Sequence, residues 1–169
     1  MKWRRGLTLL LAALLLSGCG GKAEEQEQGG VLLWFAADSR QPDYGHGPAL
    51  GSQPWEGAEN PEPGELLAAL LAGPTQEGLT SPFPRGVTVR QCSLNEEGVL
   101  LVDLSEQYGA LADVSLSLAD YSIVLTLSQA EGVEGVEITA GGRKVSYRSH
   151  QLLAPQEAVL WDELGEVAP

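Results

Sequence analysis

The sequence predicts a small domain of mixed helix and strand, class α/β (α+β), and three observations predict it. Leu66, Leu67, Leu70 and Leu71 fall at the three-to-four spacing of a single helix face. Short apolar runs at Val31–Phe35, Val87–Arg90, Val99–Leu104 and Val133–Ala140 have the length and β-branched content of strands, with turn residues around them. About 150 residues follow the N-terminal leader, enough to bury one core and too few for two full-sized domains.

The leader is a basic stretch, Met1-Lys2-Trp3-Arg4-Arg5, followed by a nearly unbroken apolar run from Leu7 to Leu16, the build of an export signal. In a helix the run reaches about 15 Å, roughly half the thickness of a hydrocarbon core, so a permanent membrane-spanning helix is not expected. It ends in Leu16-Ser17-Gly18-Cys19, which looks like a lipobox. Small Ser17 and Gly18 suit entry into a peptidase, and only the thiol of Cys19 supplies a sulfur nucleophile for a diacylglyceryl group. Residues 1–18 are therefore expected as a lipoprotein signal peptide, with lipid on Cys19 holding the chain on the extracytoplasmic face of the cell membrane. Acyl chains bury at about 0.8 kcal/mol per methylene, and two or three of them exceed what stable anchoring needs.

Charge narrows the partners. All 23 acidic residues follow Cys19, against seven basic ones, so the mature part carries a formal charge of −16. A nucleic-acid partner would be repelled. Once Cys19 is lipidated only Cys92 remains, and no intramolecular disulfide can form.

Residues 19–30 are Gly, Lys, Ala, Glu and Gln beyond the cysteine, a flexible tether. Val31-Leu32-Leu33-Trp34-Phe35 is expected as a buried strand. From Asp38 to Pro63 the chain is dense in Gly, Pro and Ser, an excursion from the domain that Trp55 could pin to the surface. The leucine helix follows and is stopped by Gly73-Pro74. Gly78 to Gly86 is a proline-braced turn, Val87 starts a strand, and Asn95-Glu96-Glu97-Gly98 is a hairpin loop into Val99–Leu104. Between Leu116 and Leu127 the local rules leave two readings open, since Leu118, Tyr121 and Leu125 have helical spacing while Ile123, Leu125 and Leu127 alternate. Val133–Ala140 is a strand that Gly141-Gly142 could turn into Val145-Ser146-Tyr147. Residues 148–169 form an acidic tail with one apolar cluster, Val159-Leu160-Trp161, able to fold as a short helix or dock on the domain.

No catalytic, cofactor or metal residues are expected. The two histidines, His46 and His150, lack a flanking nucleophile motif, and no His or Cys pair stands at ligand spacing. Asp103 and Ser105, at a strand end, are read as hydrogen-bonding the backbone N–H groups of the following turn. Thr80-Ser81-Pro82 is read as a turn lock, Glu96-Glu97 as solvated, and Cys92 as a small buried hydrophobe.

The order of motifs resembles the GerMN domain of sporulation and spore germination. The resemblance rests on Leu70-Leu71-Ala72-Gly73-Pro74, Leu79-Thr80-Ser81-Pro82-Phe83-Pro84, Val102-Asp103-Leu104-Ser105, the Ile123–Leu127 run, and Val133–Ile138 followed by Gly141-Gly142. It covers residues 31–147. It implies a mostly antiparallel sheet with two helices packed on one face, in β-α-β-β-α-β order, similar to ring-building modules of secretion and sporulation machinery, and it makes Leu116–Leu127 a helix. It also implies a non-enzymatic protein that binds envelope or sporulation-complex proteins. Two features depart from the pattern: Gly45–Asn60 is Gly- and Pro-rich where members often carry an apolar extended segment, and a single copy of the domain is found here. A second functional expectation is a surface protein binding a ligand or cell-wall carbohydrate on Trp34, Trp55 and Trp161.

Overall fold

The computed structural model describes residues 30–38, 40, 49–148 and 150–158. Cys19, the leader, most of the tether, His46 and Val159-Leu160-Trp161 lie outside the described residues. Among those described, no helix is long and apolar enough to cross a membrane.

The fold is α+β, with two α-helices and two sheets. In chain order the elements are β1 (Leu32–Ala37), β2 (Leu50–Pro54), α1 (Pro63–Ala72), β3 (Leu79–Thr80), β4 (Val89–Leu94), β5 (Val99–Leu104), α2 (Asp113–Leu127), β6 (Gly135–Ala140), β7 (Arg143–Lys144) and β8 (Leu152–Leu153). Short 3₁₀ turns, Glu106–Ala110 and Pro155–Glu157, precede α2 and follow β8. The long elements β1, α1, β4, β5, α2 and β6 reproduce the expected order. The single sheet does not survive: β2-β1-β3 forms one sheet and β4-β5-β6-β7 the other, with β8 on β6. Every pairing is antiparallel except β5 with β6, whose connection carries α2.

The leucine helix forms as its spacing requires. Leu66, Leu67 and Leu70 are fully buried, Pro63 opens the first turn, and the Glu65 carboxylate accepts the Glu62 N–H at 3.1 Å. Gly73 ends it at φ 95°, a conformation a side chain would strain. In β5 the alternation is strict: Leu100, Val102 and Leu104 enter the core beside Val136, Ile138 and Ala140 of β6. The β4–β5 hairpin is where it was expected. Asn95 Oδ1 accepts the N–H groups of Glu97 and Val99 at 3.0 and 2.9 Å, and Gly98 supplies φ 77°.

The ambiguous segment is helix α2. Its apolar residues do not confine themselves to one stripe because the helix packs against β1, α1 and β6 together. On its β1 side, Thr126 Oγ1 accepts the Trp34 N–H at 3.0 Å. Beyond its end, Gln129 accepts the Leu32 N–H at 2.9 Å and donates to the Leu32 carbonyl at 2.7 Å. These side chains occupy the side of β1 that β3, pairing only Ala36 and Ala37, leaves open.

Three segments differ from expectation. Residues 50–54, inside the expected excursion, are a strand paired along β1 from Leu32↔Pro54 to Ala36↔Leu50. Only Leu50 is apolar there, so pairing and not periodicity makes the strand. Its inward Gln53 is buried and accepts the Thr75 and Gln76 N–H groups at 2.9 and 3.2 Å. Leu79–Thr80, expected as turn, adds to β1 as β3. After Lys144 the chain does not continue as strand: Val145 is buried while Tyr147 is exposed, and β8 returns onto β6 at Val136↔Leu153.

Candidate functional site

The polar residues singled out by sequence sit at the end of the larger sheet where β5 and β6 finish. Asp103 lies on the sheet face away from the core, in register with Gln91 and Thr139. Its Oδ1 accepts the Thr139 hydroxyl at 2.8 Å and the Gly142 N–H at 2.7 Å, and Oδ2 meets Arg90 Nε at 3.0 Å. Partial burial works to raise the Asp103 pKa, but the Gly142 N–H, the Thr139 hydroxyl and the Arg90 charge together hold it below the usual carboxylate value. The expected structural role is present with different partners: Asp103 fixes the turn after β6, across the sheet, and not the turn that follows it in sequence. Ser105 Oγ accepts the Thr88 N–H at 3.0 Å and its own N–H donates to the Thr88 carbonyl at 2.9 Å, tying β5 to the start of β4. Ser81 Oγ accepts the Phe83 N–H at 3.4 Å, consistent with a turn lock.

Sequence reasoning missed the most deeply buried polar group. Tyr108 donates its hydroxyl to Asp120 Oδ1 at 2.6 Å, and the same carboxylate is paired with the Arg148 guanidinium, whose Nε lies 2.7 Å from Oδ2. Arg148 Nη1 also donates to the Ile138 carbonyl at 2.6 Å. Arg148 and Asp120 are only 4% and 5% exposed. Burial first, then the Asp120 charge, pushes the Tyr108 hydroxyl well above its ordinary pKa, so it is a donor and never a phenolate near neutrality. The signal available in sequence was Asp120 set one turn from the apolar Leu116, Ile123 and Val124, a charge that burial requires to be paired.

The remaining candidates are quiet. Cys92 is half-buried against the core and burial raises its thiol pKa, which disfavours the thiolate. His150 is exposed, its Nε2 lying 3.2 Å from Glu157 Oε2. Among the described residues no three His, Cys, Asp or Glu side chains are grouped so as to hold a metal. Glu96 and Glu97 are exposed on the hairpin tip, as expected. Trp34 and Trp55 occupy alternate parity along the β1–β2 pair and so face opposite sides of the smaller sheet, which denies them a shared platform. Trp55 folds back on the chain, its Nε1 donating to the Ala58 carbonyl at 2.9 Å.

Charge is distributed unevenly. Arg90, Arg143 and Lys144 gather around Asp103 at one end of the larger sheet, whereas the hairpin end carries Glu96, Glu97 and Glu134. Val31, which continues the tether into β1, lines a polar recess with Glu59, Glu62 and Glu131. A second, more apolar groove lies between β2, α2 and the last 3₁₀ turn.

A family model described as "Sporulation and spore germination", Germane, matches residues 46–146. The chain belongs to the Germane family. Among solved structures, the Germane fold seen here is similar to the first GerMN domain of the sporulation protein GerM from Bacillus subtilis. That match has a TM-score of 0.53 and 17% identity, over 64% of this chain and 88% of that one. It is also similar to the tandem GerMN domains of the same Bacillus subtilis protein, with a TM-score of 0.59 and 16% identity, over 76% of this chain and 46% of that one. No curated protein matches the sequence. At these identities the structures speak for the fold, and the family match carries the link to sporulation and germination.

Proposed function

We propose that this protein is a membrane-anchored extracytoplasmic lipoprotein whose Germane domain works by binding other proteins, in sporulation or germination or in assembly of an envelope complex. The observation that carries the reading is where the polar side chains are used. Asp103, Ser105, Tyr108, Asp120 and Arg148, the groups from which a reactive site would be built, are bonded to backbone or to one another as fastenings of the fold. The family's association with sporulation and germination supports the same reading. The anchor rests on the sequence before and at Cys19, a basic start, an apolar run and a lipobox. Confinement by two or more acyl chains would raise the domain's effective concentration beside the membrane.

The test pairs location with interaction. Replacing Cys19→Ser should move the protein from the membrane to the soluble fraction, and cross-linking of the anchored form should recover specific envelope proteins that the released form does not hold. A deletion strain that sporulates and germinates normally, together with an anchored domain that cross-links to nothing, would remove the proposal.

A further inference from the structure

The apolar groove has a volume of about 560 Å³, within the range of roughly 300–1,000 Å³ that encloses small ligands or a few side chains. Leu50 of β2 forms one wall, and Val114, Leu118 and Tyr121, spaced along one face of α2, form the other. Val114 is 71% exposed, an apolar side chain left in water at the first turn of the helix. Asp113 beside it has φ 52°, the sole non-glycine residue in the left-handed region among those described. Ala158 also lines the groove.

The next three residues in the chain are Val159, Leu160 and Trp161. An extended chain covers about 3.3 Å per residue, so these side chains can reach about 10 Å from Ala158, the scale of the groove itself. They are an apolar cluster in the acidic chain beyond β8, and the residue that precedes them, Ala158, lines the groove. We infer that the groove is a docking site for the chain's own Val159-Leu160-Trp161 segment. The fit is of apolar side chains to the Leu50, Val114, Leu118 and Tyr121 part of the wall; Asp113, Ser117 and Glu157 also line the groove, so Asp162 and Glu163 have to remain in water beyond it. Tyr121 is partly buried against the core, and burial first, then the Glu157 and Asp120 charges, raise its hydroxyl pKa. With no linker between wall and occupant, the segment meets the groove at a high effective concentration. An outside ligand for this surface has to displace it.

Trp161 is its own reporter. Subtracting the fluorescence of a full-length Trp161→Phe chain from that of the parent isolates its emission without touching the other tryptophans. The expected difference spectrum is blue-shifted and shielded from acrylamide, and independent of protein concentration. Val114→Asp, at an exposed position where the fold should be kept and circular dichroism checks it, should red-shift the emission and open it to quenching, as should Leu118→Asp. The inference is overturned if Trp161 emits as a solvated indole in the parent, or if neither groove substitution changes its shielding. Shielding that disappears on dilution also overturns it, since the occupant would then be a second copy.

Discussion

Replacing Arg148→Met strands the Asp120 carboxylate, whose side chain is 5% exposed, with the Tyr108 hydroxyl still donating to it. Breaking a buried ion pair from one side costs about 3–5 kcal/mol, because the surviving charge keeps its desolvation penalty and loses its counter-charge. The Ile138 carbonyl also loses the Nη1 donor, and an unsatisfied buried acceptor costs about 1–3 kcal/mol in its own right. Part of that overlaps with the first figure, so a total of about 4 kcal/mol is the working value against a domain stability of about 5–15 kcal/mol. For a domain of this size it corresponds to a fall in Tm of roughly 10–20 °C. Thermal and urea unfolding of the full chain, followed by far-UV circular dichroism, measure it directly. Asp120→Leu combined with Arg148→Met removes both charges and should recover much of the loss, as apolar replacements of buried pairs do. A shift of under about 2 °C in the single variant would show that water reaches the pair and that the reasoning from burial is wrong.

Other expectations follow from the same contacts. The lowered pKa of Asp103 means that its contribution to stability is complete above its unfolded value near 3.8 and is lost as pH falls through the lower folded value; Asp103→Asn should flatten acid unfolding in that window. Thr126→Val keeps the shape of a fully buried side chain but removes the acceptor for the Trp34 N–H, and should cost about 1–3 kcal/mol by urea titration, against near-zero for Thr126→Ser if the hydroxyl is what matters. Cys92 should react far more slowly with a disulfide reagent at pH 7 in the folded protein than in urea, and equal rates would contradict its packing against the core.

The elements that were legible in the sequence are those whose residues carry their own pattern. The Leu66–Leu70 helix face, the Asn95–Gly98 loop and the existence of β5 as a strand needed nothing beyond local sequence, whereas which face of Val99–Leu104 is buried came only with the fold. β2 was not legible because a strand made of Leu-Gly-Ser-Gln-Pro is created by its neighbour, and because Gly51 is small for a tertiary reason: a Cβ there would lie 2.7 Å from Leu79 Cδ2. The division into two sheets was hidden for a similar reason, since strand patterns say which face is buried and not which strand lies alongside. Helix α2 could not be read from periodicity once three neighbours buried several of its sides, and the motif resemblance supplied what spacing could not. Among polar sites, Asp103 and Ser105 were read as bonding the backbone of the turn that follows them; they do bond backbone N–H groups, but of residues 39 and 17 positions away. The Tyr108–Asp120–Arg148 group joins positions 12 and 28 residues apart with no motif between them.

The bonds from Thr126 and Gln129 to β1 also bear on how such a chain survives crowding. An open strand offers free N–H and C=O groups in a row, and any second chain in the same register can complete the ladder. Here two side chains already answer the Leu32 and Trp34 amides, so a foreign strand would have to displace them before it could add on. The outer strand β4 is guarded differently, by the register shift between Val89 and Gln91 and by the charge of Arg90. Thr126 and Gln129 thus do for the open edge of β1 what a neighbouring strand would do, with side chains in place of a backbone.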